Sequence, residues 1–217
     1  MGGPRARKGA RARVPARGDT PADEQLRARI CQECARIMAE EGVRDFQLVK
    51  RKASARLNVK SNRYLPSNVE IDDSLHDYLR LFHAEALGRN LHRCLSLARE
   101  VMRNLDAFKP RAVGPLLRGT VTDHSPLELH VFADTPEELN WFLADAGIPF
   151  ETADKRLRFG GDRYRDLPVV RFTVDDTKVE IVVFSREAIR EAPLSPVDGR
   201  PMARAGLREV EEMAAAL

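Results

Sequence analysis

Cysteine is scarce in this chain of 217 residues: Cys31, Cys34 and Cys94 are an odd set, too few for the disulfide framework of a small secreted scaffold. Reduced thiols are the simplest reading. Cys31-Gln-Glu-Cys34 has redox spacing, but it falls inside an amphipathic helical pattern and lacks the strand-then-helix setting of a thioredoxin motif. Long apolar runs are missing as well. No stretch approaches eighteen consecutive apolar residues, and the N-terminus lacks the apolar core of a signal peptide, so the expectation is a cytoplasmic protein with no membrane partner. Aromatics are few, at 6%, and Tyr64 stands alone in the loop after the second basic segment, which excludes a base-stacking platform there. A strong charge of one sign is also absent. The net charge of +3 does not by itself demand a nucleic-acid partner.

What charge there is sits unevenly. Residues 1–19 carry Arg5, Arg7, Lys8, Arg11, Arg13 and Arg17 with no acid before Asp19 and almost nothing apolar, the composition of a disordered basic arm. A second basic run holds Arg44, Lys50, Arg51, Lys52, Arg56, Lys60 and Arg63 against the single acid Asp45. Lys50, Arg51, Lys52 and Arg56 are therefore candidate contacts for nucleic-acid phosphates, together with the arm; a solvated helix face is the ordinary alternative.

From Thr20 the pattern is helical. Thr20-Pro-Ala-Asp23 offers an N-cap, and Leu26, Ile30, Cys34 and Met38 recur at helical spacing up to Gly42, which predicts a helix over 21–41. A helix over 45–57 places Phe46, Val49, Ala53 and Leu57 on one side. Ser67-Asn-Val-Glu70 is a capping box opening a helix whose Leu75, Leu79, Phe82 and Ala86 face a core, with Gly88 as the point of interruption before Leu91, Leu95, Ala98 and Met102 continue to about Leu105. Residues 20–108 thus form a helical region.

After Pro110 short apolar runs alternate with turns. The expected strands are 112–117, 127–132, 148–152, 168–174 and 178–184, with a helix capped at Thr135-Pro-Glu-Glu138 and a tight turn made by Asp175, Asp176 and Thr177. The fold class is α+β: a helical N-terminal region followed by a small mixed sheet over 109–190, then a connector and a C-terminal helix over 191–217 bearing Leu207, Val210, Ala214 and Leu217.

The segment richest in chemistry runs from Val113 to Phe132: Val-Gly-Pro-Leu-Leu-Arg-Gly-Thr-Val-Thr-Asp-His-Ser-Pro-Leu-Glu-Leu-His-Val-Phe. A glycine at a strand end lets backbone amides approach phosphate oxygens. Carboxylates one residue apart on a strand share a face and can hold divalent cations that neutralise charge during in-line attack on phosphorus. The stretch resembles the signature of minimal nucleotidyltransferases of the DNA polymerase β-like superfamily, in which a strand ends in Gly-Ser, a loop often containing Arg-Gly follows, and Ser-Asp-Ile-Asp-Leu begins the next strand. Gly114, Arg118, Gly119, Ser125, Glu128 and Leu129 fall in register without a gap.

The resemblance implies a nucleoside triphosphate donor and Mg²⁺, with Gly114, Arg118, Gly119 and Ser125 at the nucleotide. Glu128 and Glu180 of Val179-Glu180-Ile181 are the implied catalytic and metal-binding acids, and His130 is an auxiliary metal ligand on the same strand face. Two positions depart from the pattern. Pro115 replaces the serine of Gly-Ser, and Pro126 replaces the first aspartate of the pair. Loss of one metal-holding acid predicts weak or degenerate nucleotidyl transfer. The alternatives are a non-catalytic nucleic-acid or nucleotide binding module, or an antitoxin-like protein that pairs with a helical partner.

Overall fold

The computed structural model describes residues 20–217, so the basic arm expected at 1–19 lies outside the described residues apart from its junction at Thr20. Helix α1 (Pro21–Glu41) starts where Thr20 and Asp23 exchange backbone and side-chain hydrogen bonds, and it ends at Gly42, which is left-handed at φ 67°. Helix α2 (Phe46–Arg56) is capped by Asp45, whose carboxylate accepts from the Leu48 amide. The one acid of the basic run is thereby spent on a helix end. Helix α3 (Asn68–Phe82) opens with the Ser67–Glu70 capping box.

The next boundary departs from the sequence expectation. The chain breaks at His83, between α3 and α4 (Ala84–Asn104), and Gly88 lies inside α4 with open space around it. A glycine on a solvent face costs a helix only about 1 kcal/mol and need not end it. The turn at His83 also swings Phe82 outward, 69% exposed beside Leu81 at 76%, so Phe82 does not face a core.

The sheet has five strands in the order β1-β2-β5-β4-β3. They are β1 (Arg111–Val113), β2 (Leu127–Ala133), β3 (Glu151–Arg158), β4 (Tyr164–Val174) and β5 (Thr177–Ser185). Strands β2 and β5 run parallel and every other neighbour pair is antiparallel, so the sheet is mixed and the fold α+β. The predicted strand 112–117 proves to be β1 followed by a single helical turn, α5 (Pro115–Arg118), because Gly114 turns the chain at φ 75° and Pro115 takes the first helical position. The strand expected at 148–152 lies further on, at Glu151–Arg158; its half-exposed, charge-rich edge gives little apolar alternation to read. Asp175 and Asp176, both at positive φ, form the two-residue turn that folds β4 onto β5.

Each sheet face has its own cover. Leu127, Leu129, Val131, Val179, Ile181 and Val183 pack under α4, under α6 (Pro136–Asp145) and, with Ala205 and Val210, against α7 (Leu207–Ala215) and the segment before it. Each such side chain contributes about 1.5–3 kcal/mol of burial. The opposite face holds Phe132, Phe159, Val169, Val182 and Phe184, closed by the Arg186–Arg190 turn. Helices α1, α2 and α3 have a separate core around Ile30, Ile37, Val49 and Ile71. Among the described residues, no helix is long and apolar enough to cross a membrane.

Candidate functional site

Glu128 on β2 and Glu180 on β5 are register partners across adjacent parallel strands. Paired residues of neighbouring strands project from one face, so the two acids lie side by side on the face away from α4 and α6. Behind them, Gly114 closes β1. A Cβ there would lie 2.8 Å from the Glu128 carboxyl carbon, and the backbone at φ 75° and ψ −145° is one that favours glycine.

Both carboxylates carry cations supplied by the chain. Glu128 is paired with Arg44, which reaches over from the loop joining α1 to α2. Glu180 is paired with Lys155 of β3 and, at 2.9 Å, with Arg171 of β4, its own register partner. Burial raises the Glu180 pKa, but Lys155 and Arg171 more than offset this and hold it below the usual carboxylate value. Partial burial lowers the Arg44 pKa; Glu180 counteracts and Arg118 adds to it, which puts all three in one electrostatic neighbourhood.

His130, one strand period from Glu128, faces the same side but belongs to a different cluster. It is 2% exposed and its ring lies 4.6 Å from that of Phe184. Its Nδ1 accepts from Arg204 Nε at 3.0 Å, which requires an unprotonated Nδ1. Burial, then Arg204 and Lys155, push the imidazole pKa down to about 3. Arg204 also lies over the rings of Phe132 and Phe184 and donates to the carbonyl of Ile189. Burial and neighbouring Arg111 bring its own pKa to about 10.

The remaining expected residues are dispersed among contacts of their own. Arg118 Nε donates to Asp72 of α3 at 3.2 Å, and Gly119 ends α5 in a left-handed conformation. Ser125 Oγ accepts from the Thr122 amide at 3.0 Å and meets the Thr122 hydroxyl at 3.1 Å, so it pins the turn before β2. Next to it, His124 hydrogen-bonds the Glu40 carbonyl and packs so close to Gly42 that a Cβ there would lie 2.7 Å from its own. The end of α1 is thus tied to the loop before β2, and the loop that follows α1 is tied through Arg44 to Glu128. In the basic run, Lys52 pairs with Glu41, and Arg56 with Glu33 and Glu41 of α1. Those two side chains brace α2 on α1. Lys50 is half-buried and Arg51 exposed.

The donor set does not suit a divalent ion in this arrangement. Each carboxylate is already ion-paired, the His130 Nδ1 lone pair is directed at Arg204, and no group of three acid, histidine or cysteine side chains is placed to share an ion among the described residues. Lys155, Arg171 and Arg204 have no counterpart in the sequence expectations, and Arg44 figured there only as a member of the basic run. Comparison with protein-family models, with curated proteins and with solved structures gives no match to this chain.

Proposed function

We propose that this chain is a nucleotidyltransferase-like protein that engages a nucleoside triphosphate at the Gly114–Ser125 loop and transfers from it weakly or not at all. The observation that supports this reading is the register pairing of Glu128 with Glu180 beside Gly114, the juxtaposition that metal-assisted phosphoryl chemistry needs from its acids. Three features oppose efficient transfer. Pro126 offers no ligand, Pro115 offers no hydroxyl or amide donor, and the two surviving acids are neutralised by Arg44, Lys155 and Arg171.

The test is incubation of the full chain with labelled nucleoside triphosphates, Mg²⁺ and candidate hydroxyl acceptors, its own side chains included. Little or no transfer is expected, alongside measurable nucleotide binding. Robust transfer that disappears in Glu128→Ala would refute the degeneracy, and absence of nucleotide binding would refute the reading as a whole.

A further inference from the structure

The charges around Glu128 and Glu180 are layered. The carboxylates form the inner layer, with side chains 10% and 13% exposed, while Arg44, Lys155 and Arg171 stand outside them at 40%, 34% and 45%. Arg44, Lys155 and Arg171 form the outward layer over these two acids, and Glu151, the register partner of Arg171 on β3, is exposed at its edge. Arg118, itself paired with Asp72, lies close enough to bear on Arg44.

A divalent cation approaching the acids meets these side chains first and has to displace them. An anion meets donors. A guanidinium has five N–H groups in a planar fork, and Arg44 and Arg171 each spend few of theirs on the acid beneath. Phosphoryl oxygens suit that geometry, and a chain of them offers one group to each cation.

We infer that this cluster is a metal-independent binding site for a polyphosphate chain, with Arg44, Lys155 and Arg171 as its donors and Glu128 and Glu180 as buried counter-charges that position them. The inference rests on the proposed nucleotide reading only for what is esterified to the phosphates. It assigns the two acids a role opposite to metal ligation. That difference has a sign that can be measured.

The experiment is calorimetric titration of the full chain with inorganic tripolyphosphate in EDTA, with a nucleoside triphosphate as a parallel arm. Saturable binding that weakens as salt rises is expected. Arg171→Gln should weaken it about tenfold, the scale of one charge-assisted contact. Glu128→Gln, which frees Arg44 from its counter-charge, should tighten it by a similar factor, a gain that misfolding cannot produce. No binding in EDTA, or weaker binding in Glu128→Gln, overturns the inference. Tripolyphosphate binding in EDTA with no preference for the nucleotide upholds it while removing the nucleotide reading. Nucleotide binding that appears only with Mg²⁺ does the reverse.

Discussion

The two faces of β2 are equally buried and chemically unlike. Leu127, Leu129 and Val131 fill an apolar layer under helices, whereas Glu128, His130 and Phe132 line a face of ion pairs, an arginine-held imidazole and stacked rings. One strand therefore obeys two sets of rules. On the first face stability follows volume and area. On the second it follows pairing, because a buried charge or imidazole is tolerated only with its partners in place. The first face should respond to cavities and ignore pH, and the second should do the opposite.

The largest expected effect is the acid sensitivity of the polar face. His130 has a folded pKa of about 3, below its unfolded 6.5, so the unfolded chain binds more protons between those values. Its contribution is complete above about pH 6.5 and drains as pH falls toward 3, by roughly 4–5 kcal/mol. His130→Gln keeps an acceptor for Arg204 and does not titrate. Denaturant melts at a series of pH values should therefore show a flatter acid limb in that variant than in the wild type. An unchanged limb would mean that His130 is not buried neutral.

Leu129→Ala, on the apolar face, should cost about 3 kcal/mol through lost burial and a residual cavity, with no change in pH dependence. Denaturation midpoints at two pH values check both statements. Gly114→Ala should cost about 2 kcal/mol, from the positive φ and the collision with the Glu128 carboxylate. A loss indistinguishable from zero would show that the close approach is relaxed in solution. The smallest effect belongs to Lys52→Ala, whose exposed pair with Glu41 should contribute no more than about 0.5 kcal/mol and fade with salt.

How much of this was readable beforehand differs between elements. Thr20, Ser67 and Thr135 marked helix starts because a cap is a short-range pattern of hydroxyl and acid, and Gly42 marked a helix end for the same reason. The turn after β4 was equally local, but Thr177, expected within it, opens β5 and pairs with Val174, so the β4–β5 register came only with the fold. The break at His83 carried no glycine or proline to announce it, and a four-residue helix after Gly114 is too short for apolar periodicity to separate from a strand. At the site, Glu180 drew notice as an acid within an apolar run. Its position opposite Glu128 required the parallel pairing of β2 and β5, which are separated by a helix and two strands. The cations were the least legible. Arg44 lies 84 residues from Glu128 in the chain, and an arginine after a helix-ending glycine looks like any surface arginine. The sequence therefore suggested an acid pair available to metal, and only the folded chain shows the pair already furnished with its own positive charge.

A double-mutant cycle tests most directly whether Arg44 supplies the counter-charge of Glu128. Wild type, Arg44→Gln, Glu128→Gln and the double variant are unfolded by denaturant in EDTA. A buried acid served by a chain cation predicts that each single variant loses stability and that the double variant recovers part of it, for a coupling of about 1–3 kcal/mol. Additive losses, with coupling near zero and stability restored by Mg²⁺ in the wild type, would contradict the account and return Glu128 to the role of a metal ligand.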